Sequence, residues 1–258
     1  MSQKAKIIGI GSYLPADVIT NDDLSKTLDT NDEWITTRSG IKQRHRAAEG
    51  EATSDLALKA AQAALSDAGI TAQDIDLIIV ATTTPDLTFP ATAALVQKKL
   101  GIHHGAAFDV QAVCSGFVYG LSVASAMVET GQAQRALLIG AETMTRLLDW
   151  EDRATAVLFG DGGGAMVLEA TEIASPDAPH IIGSYLRSDG NLSELLYVDG
   201  GPSTTGTTGK LKMQGREVYR HAVGNIAEAI ESLLQKHELT VADIDWFVPH
   251  QANKRIID

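Results

Sequence analysis

The sequence predicts an α/β protein with a mostly covered mixed sheet, assembled from two similar halves. Three observations carry this expectation. Short β-rich runs alternate with amphipathic helical stretches along the chain. Several of those runs are unbroken apolar segments, as strands covered on both faces require. Two pieces of the first half are echoed, in order, in the second.

Strands are expected at 6–10 (KIIGI), 76–82 (DLIIVAT), 106–110 (AAFDV), 135–141 (RALLIGA), 155–159 (TAVLF), 164–169 (GAMVLE), 181–187 (IIGSYLR) and 244–248 (IDWFV). A helix over about 54–68 carries Leu56, Ala57, Ala60, Ala61, Ala64, Leu65 and Ala68 on one stripe. Thr53 or Ser54 is placed to cap its start and Gly69 to close its end. Helices are also expected at 91–99, before Gly101, and at 115–129, before Gly131. A longer one over 215–236 has Val218, Ala222, Ile226, Ile230, Leu233 and Leu234 at helical spacing.

The echo pairs IIGIGSYL (7–14) with IIGSYL (181–186), and TAQDIDLIIV (71–80) with TVADIDWFV (240–248). Similar offsets in the same order favour duplication over chance. The halves are then 1–170 and 171–258, joined through TEIASPDAPH (171–180), which has the Pro, Ser and Asp of a connector. In the first half a helix, the Cys segment and three more strands follow the repeated DID strand. In the second half the chain stops at NKRIID, with no helix-closing signal. The expectation is an incomplete second half, from a fuller protein of roughly 310–330 residues.

Composition removes several function classes. The chain has 258 residues, a formal net charge of −12, 44% apolar and 21% charged residues. That is ordinary for a globular protein. An acid excess argues against general nucleic-acid binding, which needs a basic face. One Cys excludes an internal disulfide framework and a multi-thiolate zinc site. No apolar run approaches the roughly 20 residues of a membrane span, and the N-terminus MSQKAKIIGIGSYLP lacks a signal-peptide pattern. A cytoplasmic location, with no membrane and no nucleic-acid partner, is the resulting expectation.

Two residues stand out for chemistry. Cys114, in FDVQAVCSGFVYGL, falls at a strand-to-helix turn, where a helix N-terminus favours thiolate and would draw a free-cysteine pKa of about 8.5 toward 7 or lower. The competing reading is a buried structural Cys. His250, in PHQANKR, follows a strand expected to end at the crevice where α/β sheets bind ligands. A surface or capping His is its competing reading. A thiol with a distant His fits nucleophilic catalysis, although their meeting cannot be read from sequence. The run GDGGGA (160–165) lacks the Lys-Ser/Thr of a phosphate loop and is expected to be a tight hairpin between two strands. GGPSTTGTTGK (200–210) reads as a surface loop or flap. Lys210, Lys212, Arg216 and Arg220 follow against Glu217, with Lys254 and Arg255 further on. This positive cluster is either a solvated face or a landing site for an acidic or phosphate-bearing partner.

Five segments resemble β-ketoacyl-acyl carrier protein synthase III of bacterial fatty-acid synthesis: DTNDEWITTRSGI (29–41), TTTPDLTFPATAALVQKKLG (82–101), DVQAVCSGFVYGL (109–121), DRATAVLFGDGGGAMVLE (152–169) and VPHQANKRII (248–257). They span nearly the whole chain in family order. The resemblance implies a thiolase-like fold, a five-layered αβαβα sandwich of two similar halves, and a homodimer. It implies decarboxylative condensation of an acyl-CoA, usually acetyl-CoA, with malonyl-acyl carrier protein, and no cofactor or metal beyond the coenzyme A thioester used as substrate.

By the same resemblance Cys114 is the nucleophile, and its backbone N–H is half of the oxyanion hole. His250 is the active-site histidine, donating as a neutral imidazole to the malonyl thioester oxygen. Trp34 and Arg153 flank the adenine of coenzyme A, Arg38 contacts phosphate, and Thr30, Tyr219 and Asn253 line the pantetheine tunnel. Phe89 reaches the partner subunit's acyl pocket. Arg220 with Gln251, Ala252, Asn253, Lys254 and Arg255 forms the carrier-docking surface. The family's third active-site residue, an Asn in a Gly-Asn-Thr-Ser segment, and a C-terminal Gly oxyanion donor have no counterpart here. The expectation is therefore a family member that condenses poorly in this form. The alternatives are a polyketide or secondary-metabolite ketosynthase of the same fold, and an inactive subunit or scaffold.

Overall fold

A computed structural model describes residues 3–172 and 178–257. In chain order its elements are β1 (Gln3–Tyr13), β2 (Asp17–Thr20), α1 (Asn21–Ser25), α2 (Asp32–Ser39), β3 (Gln43–Arg46), α3 (Thr53–Ala68), β4 (Leu77–Ala81), α4 (Thr92–Lys99), β5 (Ala106–Val110), α5 (Gly116–Glu129), β6 (Arg135–Thr143), α6 (Arg153–Ala156), β7 (Asp161–Glu172), β8 (Leu196–Gly201), β9 (Thr207–Met213), α7 (Gly215–Lys236) and α8 (Lys254–Ile257). They form two compact units that interleave in sequence. One comprises 1–16, 47–143 and 161–182, the other 17–46, 144–160 and 183–258. The expected connector 171–180 includes 173–177, which lie outside the described residues.

The first unit is a helix–sheet–helix sandwich. Its mixed sheet has the order β1-β7-β6-β4-β5. β4 is parallel to β5 and β6, whereas β7 is antiparallel to β6 and β1. The period of two along a strand assigns the faces. Ile78, Val80, Leu137, Ile139 and Val167 point toward α3 and α4, and Leu77, Ile79, Ala136, Leu138 and Leu168 toward α5. Both faces are covered, so β4 reads LIIVA and is buried throughout.

The alanine stripe of α3 packs on β1, where the strand offers glycine. A Cβ at Gly9 would sit 2.5 Å from the Ala64 carbonyl oxygen, and one at Gly11 2.5 Å from that of Ala60. Small residues on both sides let a helix backbone lie almost directly on a strand. Gly69 closes α3 in the left-handed region at φ 67°, as expected. The start of α3 differs from expectation. Ala52 is the N-cap, and its N–H donates to the Asp55 carboxylate. Thr53 and Ser54 instead bind the following loop, through the Thr84 carbonyl at 2.6 Å and the Asp86 carboxylate at 2.6 Å.

The second unit carries two ribbons, β2–β3 and β8–β9, both antiparallel. One apolar cluster joins Ile19, Leu24, Leu28, Ile35, Ala156 and Val157, and another joins Met144, Leu147, Leu148 and Leu211. Arg44 is a buried polar hub at 4% exposure. It donates to the Ile19 carbonyl, to Asn21 Oδ1 at 2.9 Å and to the Val157 carbonyl at 2.8 Å. Asn21 passes the network on to Asp32 and the Ile41 carbonyl. Helix α7 spans the expected 215–236, with its apolar stripe half-buried.

Four expectations are corrected. Residues 155–159 are not a strand: Asp152 caps α6 by accepting from the Ala154 N–H at 2.9 Å, and the apolar run enters the core as a helical turn. A buried apolar run suits either geometry, and the cap decides. GDGGGA is no hairpin, because 161–165 lie inside the long strand β7. Residues 181–187 and 244–248 form no strand among the described residues, since neither finds a ladder. The first of these makes one bond, from Ile181 N–H to the Ala5 carbonyl. The two echoed DID segments do share one local turn. Thr71 N–H and Oγ1 donate to Asp74 Oδ2 at 2.9 and 2.7 Å. Thr240 does the same to Asp243 at 2.8 and 2.7 Å.

Candidate active site

Cys114 sits where the edge strand β5 hands over to α5. Residues 113–115 make a single 3₁₀ turn, and α5 begins at Gly116. Val113 holds φ 48°, a left-handed conformation that a β-branched side chain resists at a cost of about 1–3 kcal/mol. Such a kink is kept when the surrounding fold requires it, and here it delivers an exposed thiol at the head of a helix. The buried structural reading of Cys114 therefore fails.

The expected acidic thiol is also corrected. The Cys114 pKa is pushed up, first by removal of water from around the sulfur and then by the negative charge of Glu142. The thiol is accessible at the surface, yet enough protein crowds it to penalise the anion. The residue's own backbone N–H opposes this and does not prevail. At neutral pH the Cys114 side chain rests as a thiol.

Glu142 escaped the sequence reading. It lies near the C-terminal end of β6, where its carboxylate accepts from Thr83 N–H at 2.7 Å, Thr84 Oγ1 at 2.5 Å and Thr82 Oγ1 at 3.4 Å. Burial pushes its pKa up against those donors, which pull the other way. Its one sequence signal was an acid in the strand run RALLIGAET, at the edge where α/β proteins place ligands. Phe89 stands in the same unit on the loop before α4, 81% exposed.

In the second unit Trp34 lies on α2, whose N-cap Asn31 accepts from the Trp34 N–H at 2.8 Å. The Arg38 guanidinium, one turn on, is 4.5 Å from the indole centroid, and that of Arg153, at the start of α6, is 4.8 Å away. Arg153 is held by its donation to the Asp29 carbonyl at 2.6 Å. Thr30 is half-buried, and its Oγ1 has no hydrogen-bond partner among the described residues. An aromatic platform with two planar cations, beside a free hydroxyl, suits a flat, anionic ligand.

The C-terminal residues gather around α8. Tyr219 OH donates to the Arg255 carbonyl at 3.2 Å, and Asn253 Oδ1 accepts from Arg255 N–H at 2.9 Å. Gln251, Lys254 and Arg255 are exposed, while Ala252 and Asn253 are half-buried. The positive cluster is thinner than its sequence suggests. Arg220 is paired with Glu217 at 2.7 Å, and Lys210 donates to the Leu148 carbonyl at 2.9 Å. His250 follows Pro249 in irregular backbone; its side chain is exposed, yet neighbouring protein removes enough water from the ring to push its pKa below the ordinary histidine value. It is therefore neutral at pH 7. No cluster of three or more metal-ligating side chains occurs among the described residues. No helix among them is long and apolar enough to cross a membrane.

The covered mixed sheet, with an exposed thiol at a strained strand-to-helix turn, is the α/β architecture of the thiolase-like fold. Comparison with known proteins makes the assignment specific. Residues 108–190 match the model of 3-oxoacyl-[acyl-carrier-protein] synthase III, and 234–258 match that of its C-terminal region. The chain is 60% identical over 255 residues to β-ketoacyl-[acyl-carrier-protein] synthase III of Caulobacter vibrioides, covering 98% of this chain and 79% of that protein. The solved synthase III of Aquifex aeolicus superposes with a TM-score of 0.90 at 44% identity, covering 98% of this chain and 78% of that one. A priming β-ketosynthase of the R1128 polyketide pathway reaches a TM-score of 0.91 at 34% identity, covering 99% and 77%. The chain belongs to the β-ketoacyl-acyl carrier protein synthase III family, and it is an acyltransferase of fatty-acid biosynthesis. The polyketide alternative is not favoured, because its representative is the more distant relative.

Proposed function

We propose that this enzyme condenses an acyl-CoA, acetyl-CoA in the first instance, with malonyl-acyl carrier protein to give a 3-oxoacyl-acyl carrier protein. The exposed Cys114 at its strained turn, in a chain of this family, is the observation that carries the reading. In the first stage Sγ attacks the acyl carbonyl, the carbonyl–sulfur bond to coenzyme A breaks, and the thiol proton leaves with the coenzyme A thiolate. A thioester on Cys114 results. In the second stage the malonyl carboxylate leaves as carbon dioxide. The electron pair left on carbon forms the new carbon–carbon bond to the acyl-enzyme carbonyl, and the Cys114 thiolate departs. His250, neutral because partial loss of water around its ring disfavours the cation, donates to the malonyl thioester oxygen as negative charge develops there. The Cys114 N–H serves the acyl-enzyme carbonyl in the same way.

Coenzyme A binds with its adenine between Trp34 and Arg153, Arg38 toward phosphate, and Thr30, Tyr219 and Asn253 along the pantetheine. The unpartnered Thr30 hydroxyl supports this placement, because a buried hydroxyl without a partner gains from a ligand amide. Arg220 and residues 251–255 receive the acidic carrier protein. Phe89, large and solvent-exposed, is suited to a second copy of the chain, which makes the working form a homodimer. The reaction needs no cofactor beyond its thioester substrates, and the enzyme works in the cytoplasm. Mass analysis of the carrier protein after incubation with enzyme, acetyl-CoA and malonyl-carrier tests the reading. An acetoacetyl-carrier product is expected. Conversion of malonyl-carrier only to acetyl-carrier, with or without acetyl-CoA, would overturn the condensation.

A further inference from the structure

We propose that Glu142 is a positioning residue for the nucleophile, its carboxylate pinning the Thr82–Thr84 loop beside the Cys114 turn and setting the electrostatic cost of forming a thiolate there. The inference rests on the reading of Cys114 as nucleophile and extends it to a residue outside the family's catalytic set. The connection is continuous through hydrogen bonds. Glu142 takes up Thr82, Thr83 and Thr84 in succession as β4 ends. Thr82 N–H reaches across to the Val110 carbonyl, and Gln111 Nε2 donates to Thr83 Oγ1 at 3.2 Å. Those two residues lead into the turn that bears Cys114. Thr84 Oγ1 also receives the Thr143 N–H at 2.9 Å, and its carbonyl accepts from Thr53. The loop is thus fixed from both β6 and α3.

The carboxylate has neutral hydroxyl and amide donors, and none of the ion pairs among the described residues includes it. A counter-ion would cancel its field at the sulfur. Hydroxyls stabilise the charge and leave the field standing. Other charged groups lie on the elements around Cys114. Asp109 on β5 accepts the Thr92 and Ala93 N–H groups at the start of α4, and Asp86 accepts from Ser54. Lys99 on α4 is taken by Asp55 and Ser54. Glu142 is the carboxylate that both holds the loop beside the Cys114 turn and raises the cost of the thiolate there. A repelled thiolate protects an exposed cysteine from adventitious electrophiles, while a thioester bound on the oxyanion donors lowers the cost of ionisation only when substrate is present.

The test is the pH profile of iodoacetamide alkylation at Cys114 in the free protein, read by intact mass, which involves neither coenzyme A nor carrier. Glu142→Gln is expected to shift the profile to lower pH and to speed alkylation at pH 7 by roughly threefold to tenfold, the effect of half to one pKa unit. Glu142→Asp, which keeps the charge, is expected to restore the wild-type profile. A folded Glu142→Gln protein with an unshifted profile overturns the proposal, whatever happens to turnover. Thr84→Val retains the charge and removes the shortest hydroxyl donor, so it serves even where Glu142→Gln does not fold. It is expected to slow acetylation of Cys114 several-fold while leaving coenzyme A affinity unchanged. Unchanged acetylation overturns the positioning role. Failure of wild type to acetylate at all, with a normal alkylation profile, counts against the enzyme reading and not against Glu142.

Discussion

Replacing Arg44 by Met removes the hub of the unit that carries the Trp34 platform. The guanidinium satisfies the Ile19 and Val157 carbonyls and Asn21 Oδ1, and Asn21 in turn orients Asp32 on α2. Met fills much of the same volume but donates nothing, so three buried acceptors lose a charged donor worth about 1.5–3 kcal/mol each. Part of that loss is returned, because among the described residues no carboxylate pairs with the buried guanidinium and its Nε lacks a partner, and burial already pushes its pKa down. The net expectation is a loss of about 3 kcal/mol, or roughly 6–12 °C in melting temperature for a chain of this size. Calorimetry with a urea titration measures it. The loss should be confined to the platform, with coenzyme A affinity falling and Cys114 alkylation kept at 25 °C. A variant as stable as wild type, or more so, would refute the reasoning by showing that desolvation of the charge outweighs its three bonds.

Further expectations follow from the same geometry. Gly11→Ala drives a methyl into the α3 backbone, which no side-chain rotation relieves, and should cost at least about 2 kcal/mol in urea unfolding. A neutral change would mean that α3 and β1 separate freely. Trp34→Ala deletes the surface shared by Arg38 and Arg153 and should weaken coenzyme A binding about fivefold or more in calorimetric titration, with far-UV dichroism unchanged. The His250 imidazole should titrate below the ordinary value of 6.5 in an NMR pH series. Because the folded pKa is depressed, the neutral ring contributes its stability above the unfolded pKa and loses it as pH falls through the folded one. A midpoint above 6.5 would contradict the burial argument.

Much of the first unit was legible because its elements carry their signals locally. The α3 stripe, the Gly69 stop and the LIIVA strand each rest on periodicity or a cap, as does the 215–236 helix of the second unit. The failures share a cause. IIGSYLR and IDWFV have strand composition, but a strand exists only with a partner, and no ladder forms on either. TAVLF has strand-like residues, yet a cap three residues upstream starts a helical turn. At the site the Cys114 turn was legible from the change of pattern around it, but its pKa was not. The helix end is visible in sequence, whereas crowding around the sulfur and the charge of Glu142 arise from residues distant along the chain. Arg44 gave no signal for the same reason, since Val157 meets it only through the fold.

The central claim is that Cys114 accepts an acyl group from coenzyme A. It is tested most directly by incubating the folded protein with acetyl-CoA and measuring its intact mass, with Cys114→Ala alongside. The account predicts one acetyl adduct on the wild type, mapped to the peptide containing Cys114, and none on the variant. An adduct that persists in Cys114→Ala, or a folded, alkylatable wild type that stays unmodified, would contradict it.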